Sequence, residues 1–328
     1  MYTNESYDFL SSNLYILLKD QMACKFLQEK LEKDSNNFLT NLFPDIILNI
    51  TEFIKDSFAN YFIQKMFHYL NEEQILYILK LLHPNFLDIC IDKHGTRVIQ
   101  RIMDYLTTYK TRQLFFYIIK PIFCKILNEY NGTHIIYKFF QFFPEFLVEA
   151  NDIIIVNISI ICINKRGCVF LENYLSNLYD INLRDKTIQS ILDICQLLII
   201  DKFGNYIIQY LLSLRNPNII LNIIDQIKTN IKYYCMNKYA NFVIEKLLIY
   251  SNYTQKQFVI QNLLINDTIS DLAFNQHGNF IILQALNFAD GNKRNLILKI
   301  LKNLRPKIEE LPNGKIFLKK LEYYSFNK

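Results

Sequence analysis

The chain lacks tryptophan, and it has only seven glycines and seven prolines in 328 residues. Its seven cysteines are odd in number and irregularly spaced, with no Cys-x-x-Cys pair. This usage argues against a disulfide framework or a zinc site and favours a reducing compartment. We therefore expect no metal and no cofactor. The cysteines are Cys24, Cys90, Cys124, Cys162, Cys168, Cys195 and Cys235.

Long apolar runs are also missing. The longest stretch, from Ile153 to Ile163, is interrupted by Asn157 and Ser159. It falls short of the roughly 18 residues that a membrane span needs. The opening segment MYTNESYDFL has no basic region followed by an apolar one, so it does not resemble a signal peptide. These absences predict a soluble, cytoplasmic protein with no membrane partner.

Catalytic signatures are absent as well. The chain contains no GxxxxGK[ST], GxGxxG or HExxH motif. The acidic pair Glu309 and Glu310 is typical of a solvated face. The net charge of +5, from 36 basic and 31 acidic residues, permits a polyanionic partner without requiring one. We do not expect an enzyme.

What the chain does contain is an internal repeat. Eight segments share a small residue, a polar or cysteine residue, a variable residue and two apolar residues. They are QMACKFLQ, DSFANYFIQ, DKHGTRVIQ, EYNGTHIIY, NKRGCVFLE, DKFGNYIIQ, NKYANFVIE and NQHGNFIIL. Five of the seven glycines occupy the small-residue slot, and a sixth, Gly314, opens a degenerate ninth copy. We expect this small residue to let a neighbouring repeat's helix approach closely.

The spacing of the repeats predicts a helical solenoid. The residues after the small one are separated by 36, 36, 37, 35, 37, 36 and 38 positions. In the sixth segment Ile207, Ile208, Leu211 and Leu212 recur at helical spacing, and Asp201 or its equivalents can cap the helix start. Periodicity alone would also suit a protein-binding scaffold of the HEAT or armadillo type.

The segments DKFGNYIIQ, DSFANYFIQ and DKHGTRVIQ closely resemble the repeat signature of the Pumilio/Puf family of RNA-binding proteins, and the similarity runs from about Leu14 to Tyr324. The resemblance implies an all-α, right-handed solenoid crescent of eight three-helix repeats with N- and C-terminal caps. It also implies that the second helix of each repeat lines the concave face and that RNA runs antiparallel to the protein. The expected single domain, 1–328, contains repeats at 13–48, 49–84, 85–121, 122–156, 157–193, 194–229, 230–267 and 268–303, and a cap at 304–328.

Helical geometry explains how one repeat can read one base. The first reading residue and the residue four positions later share a helix face, so together they can contact the edge of one base. The residue directly after the first is rotated by about 100° and can stack between bases. The edge-reading positions are Cys24 with Gln28, Asn60 with Gln64, Thr96 with Gln100, Thr133 with Tyr137, Cys168 with Glu172, Asn205 with Gln209, Asn241 with Glu245, and Asn279. The stacking positions are Lys25, Tyr61, Arg97, His134, Tyr206, Phe242 and Phe280.

Side-chain chemistry assigns bases to several repeats. The two asparagine–glutamine pairs offer amide donors and acceptors that match uracil. Glutamine paired with cysteine or threonine suits adenine. The family also uses the cysteine–glutamine pair to read adenine. Glu245 is an acceptor-only carboxylate, and guanine alone presents two adjacent donors, so we expect guanine there.

Three repeats depart from this pattern. The fourth has Thr133 and Tyr137, so any base is acceptable there. In the fifth, Val169 stacks poorly and Glu172 could favour guanine where the family prefers adenine. In the eighth, Leu283 cannot bond a base edge, and Gln284 comes one residue late. Read from repeat 8 to repeat 1, the site is 5′-UGU(A/G)NAUA.

The resemblance implies a monomeric regulator that binds single-stranded RNA in mRNA 3′ untranslated regions and represses translation or promotes decay. Its partners would be deadenylase or translational-repressor proteins on the convex face. The alternatives are a nucleolar Puf-like factor for ribosomal RNA processing, whose reading positions are typically degenerate, and a protein-binding helical scaffold.

Overall fold

A computed structural model describes the backbone of residues 6–326 and the side chains of residues 6–322. Within those residues every regular element is a helix. Short 3-10 turns at Phe67–Tyr69, His83–Asn85, Lys120–Ile122, Pro144–Phe146 and Lys228–Asn230 join some of the helices. The chain divides into two compact units at residue 157.

The first unit contains twelve α-helices among its described residues. They are α1 Tyr7–Lys19, α2 Gln21–Lys33, α3 Ser35–Leu48, α4 Ile50–Lys55, α5 Ala59–Met66, α6 Glu72–Leu82, α7 Phe86–Ile91, α8 Gly95–Met103, α9 Tyr109–Ile119, α10 Phe123–Asn128, α11 Thr133–Phe142 and α12 Leu147–Val156. From α4 onward, a short helix, a middle helix and a longer outer helix recur in that order. The middle helices pack side by side, α2 on α5, α5 on α8 and α8 on α11.

The second unit continues the same order and adds one terminal helix in its described part. Its helices are α13 Ile158–Cys162, α14 Lys165–Asn177, α15 Ile181–Asp193, α16 Cys195–Ile199, α17 Gly204–Ser213, α18 Pro217–Ile227, α19 Ile231–Met236, α20 Ala240–Tyr250, α21 Tyr253–Leu263, α22 Thr268–Phe274, α23 Gly278–Phe288, α24 Gly291–Glu309 and α25 Gly314–Phe326. Here α14 packs on α17, α17 on α20 and α20 on α23, and α25 covers α23.

The repeat boundaries remain predictions. The helices start and stop close to them in the middle of the chain. At the ends the agreement is looser, because α1 starts at Tyr7, before the predicted first repeat at 13. In addition, α24 continues to Glu309, past the predicted boundary at 303.

Seven of the eight middle helices among the described residues start with a side-chain cap, as the sequence predicted, and α11 is the exception. The Asp201 carboxylate oxygen Oδ1 accepts hydrogen bonds from the backbone N–H groups of Phe203 and Gly204 at 2.8 and 2.7 Å. One oxygen thereby satisfies two N–H groups that lack helical partners. The equivalent caps are Asp20, Asp56, Asp92, Asn164, Asn237 and Asn275.

The small residue after each cap serves a different contact from the one we expected. A Cβ atom on Gly95 would lie 2.3 Å from the carbonyl oxygen of Ile89, and one on Gly167 would lie 2.1 Å from that of Ile161. Both carbonyls belong to the short helix of the same repeat. The expectation that the glycine admits a helix of a neighbouring repeat is therefore wrong. The glycine closes the turn between the short and middle helices of its own repeat.

The interior of each unit is built from the apolar face of these helices. In α17, Ile207, Ile208, Leu211 and Leu212 are all buried, as their spacing predicted. The segment Glu72–Ile91 is long and apolar enough to cross a membrane by length and composition. It consists of α6, a 3-10 turn and α7, and its residues Ile78 to Leu82 and Phe86 to Cys90 supply several side chains to the core.

Candidate nucleic-acid interface

The three reading positions of a middle helix differ systematically in exposure. In α5, Asn60 at the first position is 2% exposed, whereas Tyr61 at the stacking position is 60% exposed. Gln64, four residues after Asn60, is half-buried. The same order holds for Asn205, Tyr206 and Gln209 in α17. Each of these helices thus presents one exposed flat side chain beside one partly exposed amide.

The buried asparagines use their donors on the backbone. Asn60 donates through Nδ2 to the carbonyl oxygens of Asp56 and Ser57 at 2.8 and 3.1 Å, and its Oδ1 accepts from Nε2 of Gln64 at 2.9 Å. Asn205 and Gln209 repeat this arrangement. In this structure the asparagine donors are therefore engaged by backbone carbonyls, and the glutamine is the more exposed amide of each pair. The reading of a base by these pairs stays a prediction.

The glutamines of the first and third repeats have different acceptors. Gln28 donates to the Cys24 Sγ atom at 3.5 Å, and sulfur is a weak acceptor. Gln100 donates to the Thr96 hydroxyl at 3.3 Å and to the Thr96 carbonyl oxygen at 3.2 Å. The Thr96 hydroxyl in turn donates to the carbonyl oxygen of Asn131 at 2.9 Å. The Gln28 amide is therefore held by the weaker acceptor of the two repeats.

In the fourth repeat, the side chain at the first position is bonded to the backbone of its own repeat. The Thr133 hydroxyl points back into the helix start, within 2.8 Å of the Leu127 carbonyl oxygen and 2.7 Å of the Glu129 carbonyl oxygen. Burial raises the pKa of Tyr137, so its phenol stays neutral. His134, at the stacking position, is exposed and makes an edge-on contact with the ring of Tyr130.

The fifth repeat has an open space where a flat side chain is missing. Val169 is exposed, and with Glu172 and Tyr206 it lines a cavity of about 330 Å³ between α14 and α17. Cys168 is buried and donates to the Cys162 carbonyl oxygen at 2.8 Å. Burial raises the pKa of the Cys168 thiol to about 12, so it remains a neutral donor. The carboxylate of Glu172 is exposed beside this cavity.

The seventh repeat includes a residue that the sequence did not assign. Asn241 is buried and donates to the Asn237 carbonyl oxygen at 3.0 Å. Glu245, four residues later, is half-buried and accepts a hydrogen bond from Nε2 of Gln284 at 3.1 Å. Gln284 lies 39 residues away in α23, where the sequence pattern showed only a glutamine one position late. Its link to Glu245 depends on how α20 and α23 pack.

The eighth repeat exposes fewer polar groups. Leu283 is buried at 6% exposure, and its expected lack of contact with a base edge stays a prediction. Asn279 is less buried than Asn60, and within residues 6–322 its side chain has no hydrogen-bond partner. Phe280 is exposed, and the ammonium group of Lys320 in α25 lies 5.2 Å from its ring centroid.

The remaining stacking positions are also accessible. Lys25, Arg97 and Phe242 are exposed on α2, α8 and α20. Of the described residues, no group of three or more His, Cys, Asp or Glu side chains could hold a metal ion. At the stacking positions the exposed side chains are aromatic or cationic, with Val169 as the exception.

Comparison with known proteins gives this arrangement a family. The model of the Pumilio-family RNA binding repeat matches residues 13–45, 49–83, 85–119, 195–228, 230–264 and 269–301. These segments cover more than half of the chain. The unmatched stretch between 119 and 195 contains the fourth and fifth repeats, in which the reading residues depart from the pattern.

A curated relative and two solved structures agree with this match. A Pumilio domain-containing protein of Schizosaccharomyces pombe is 26% identical over 95% of this chain and 46% of its own length. The Puf4 RNA binding domain, solved with an HO endonuclease RNA 3′ UTR recognition sequence, is 26% identical, covers 93% of this chain and 97% of that chain, and has a TM-score of 0.72. The RNA-binding domain of yeast Puf5p, solved with SMX2 RNA, is 25% identical, covers 98% of this chain and 97% of that chain, and has a TM-score of 0.76.

These likenesses confirm the expected fold class, an all-helical Puf solenoid. The chain spans about half the length of the curated relatives it matches.

Proposed function

Because the chain belongs to the Pumilio family of RNA-binding repeat proteins, we propose that it binds single-stranded RNA with one base per repeat. The observation that carries the proposal is the recurrence of one exposed stacking residue beside one partly exposed edge residue on successive middle helices. Stacking on such side chains contributes about 1–3 kcal/mol per base. The family consists of RNA-binding repeat proteins without enzymatic activity, as expected from the sequence.

Uracil is read by the asparagine–glutamine pairs in this proposal. The Gln64 Oε1 atom accepts from uracil N3–H, and Nε2 donates to one uracil carbonyl. For the second carbonyl, Asn60 turns one N–H outward from the Ser57 carbonyl, the longer of its two backbone bonds at 3.1 Å. Gln209 and Asn205 act in the same way, with the Lys202 carbonyl at 3.1 Å.

Adenine is read by Gln28 and Gln100, whose amides face N1 and N6 and whose smaller partners leave room for the edge of the ring. Guanine is read by Glu245, whose two carboxylate oxygens accept from N1–H and N2–H. Read from the eighth repeat to the first, the preferred site is 5′-UGU(A/G)NAUA, with the middle N opposite Thr133 and Tyr137.

Within the cell we propose a cytoplasmic role in binding mRNA 3′ untranslated regions and lowering translation or transcript stability. Support comes from the Puf4 structure, whose RNA is a 3′ UTR recognition sequence. Effector proteins such as a deadenylase or a translational repressor would dock away from the reading helices.

Selection of bound RNA from a random pool tests the proposal. We expect enrichment of UGU followed by an A- and U-containing 3′ half, with affinity that falls as salt concentration rises. The matched control is a Gln64→Ala, Gln209→Ala double variant, which should lose uracil enrichment only opposite repeats 2 and 6.

Absence of any enriched sequence, with salt-insensitive binding, would favour the protein-scaffold alternative. Enrichment of a structured ribosomal RNA fragment without a linear UGU element would favour the role in ribosomal RNA processing.

A further inference from the structure

In the second, fourth and sixth repeats, the residue five positions after the first reading residue reaches back toward the preceding repeat. It is rotated by about 100° from the edge-reading position, which places it on the side of the middle helix that faces its predecessor. Its contacts fall on the residue eight positions after the predecessor's first reading residue. Such contacts join Lys65 to Glu32, Lys138 to Asp104, and Tyr210 to Ser176.

Gln284 occupies this position in the eighth repeat, but its partner is different. The residue eight positions after Asn241 is Ile249, which offers no polar group. Gln284 instead donates through Nε2 to Oε1 of Glu245, at 3.1 Å. A position that links two repeats through the later residue in three other cases thus contacts an edge-reading carboxylate here.

Resting on the proposed function, we propose that Gln284 is a positioning residue for Glu245, so that the guanine preference of the seventh repeat depends on a side chain supplied by the eighth. A carboxylate has about four acceptor sites, and Gln284 uses one of them on Oε1. Another site on Oε1 and those on Oε2 remain for guanine N1–H and N2–H. Gln284 holds the carboxylate in the orientation that uses both oxygens together.

Gln284 should raise the affinity for guanine because it orders the flexible Glu245 side chain before the base arrives. A side chain that becomes immobilised only on binding weakens affinity by about three- to tenfold, and Gln284 removes that loss. The gain applies only to a base that uses both oxygens. Gln284 therefore raises affinity for guanine and leaves affinity for uracil or adenine at that nucleotide unchanged.

The test compares RNAs that differ only at the second nucleotide of the site, carrying G, U or A. Gln284→Met keeps the length of the side chain and removes the donor. We expect about three- to tenfold weaker binding of the G-containing RNA, unchanged binding of the U- and A-containing RNAs, and a smaller G-to-U affinity ratio. In a Glu245→Ala background the same substitution should have no further effect on any of the three RNAs.

Gln257→Met is the matched control. Gln257, on the outer helix α21, links the same two repeats away from the reading positions, since its Nε2 donates to the carbonyl oxygen of Phe288, the last residue of α23, at 2.7 Å. This variant should lower thermal stability and leave the G-to-U ratio intact. Should Gln284→Met fail to fold, Gln284→Glu replaces the donor with a second carboxylate and should reduce the ratio as well.

Equal weakening of all three RNAs by Gln284→Met, or an unchanged ratio, would overturn the positioning role while leaving RNA binding standing. If the wild-type protein bound none of the three RNAs, the proposed function itself would fail.

Discussion

Replacing Glu245 with glutamine would convert the seventh repeat into a copy of the second and sixth. Asn241 already stands four residues before it, with its Nδ2 donating to the Asn237 carbonyl oxygen at 3.0 Å. A glutamine at 245 can donate to the Asn241 Oδ1 atom, as Gln64 donates to Asn60 at 2.9 Å. We expect the preferred second nucleotide to change from G to U.

The size of the affinity change follows from counting the donors and acceptors of the base and of residue 245. Guanine offers two adjacent donors, and the carboxylate offers two acceptors. The amide keeps one acceptor and places a donor against a donor. A wrong base costs about 1–3 kcal/mol by analogy with base-edge contacts in DNA, which corresponds to about 5- to 150-fold in affinity. The G-containing RNA should weaken by that factor, and the U-containing RNA should strengthen.

Fluorescence anisotropy titrations with the two RNAs at fixed salt would measure both affinities. Gln64→Glu serves as the reciprocal control and should shift the seventh nucleotide from U toward G without affecting the second. If Glu245→Gln left the order of preference unchanged, the register that pairs the seventh repeat with the second nucleotide would be incorrect.

Three further outcomes are expected. Gly95→Ala should destabilise the fold by about 1–3 kcal/mol through overpacking against a backbone carbonyl. Gly291→Ala should not destabilise the fold, because its Cβ would meet nothing within 4 Å, and thermal unfolding of the two variants tests the difference. Tyr206→Ala should weaken RNA binding by about 1–3 kcal/mol, whereas Tyr253→Ala, on an outer helix, should leave the titration unchanged. Burial raises the pKa of the Cys168 thiol to about 12 from 9.0, so its stabilising contribution is complete below pH 9 and is lost as pH rises toward 12. Between pH 8.5 and 10.5, the melting temperature of a Cys168→Ala variant should therefore fall less than that of the wild-type protein. An equal fall would contradict the assignment.

The helix caps and the buried faces of the middle helices could be predicted because they depend on local sequence. Asp201 lies three residues before Gly204, so the geometry of a helix start alone decides that its carboxylate accepts the Gly204 N–H. The burial of Ile207 and Leu211 follows from the helical period in the same way. The exposure of Tyr206 follows from its rotation away from both.

Contacts between distant residues could not be predicted from the same pattern. The link between Gln284 and Glu245 requires knowing how far α23 is displaced along α20, and a shift of one residue would separate the two side chains. The buried position of Asn60 goes with its hydrogen bonds to the backbone carbonyls of Asp56 and Ser57, which residue spacing does not reveal. The misassigned role of Gly95 has a similar origin, since sequence spacing does not tell which carbonyl, near or distant, occupies the space beside it.

The contact of Gln284 with Glu245 has a consequence for protein engineering by module exchange. A designer who transplants the seventh repeat into another array would carry over Asn241, Phe242 and Glu245 and leave the supporting amide behind. Guanine recognition in the chimera should then be poorer than in the parent, and adding the following helix should restore it. The unit of specificity at this point of the chain is a pair of adjoining modules.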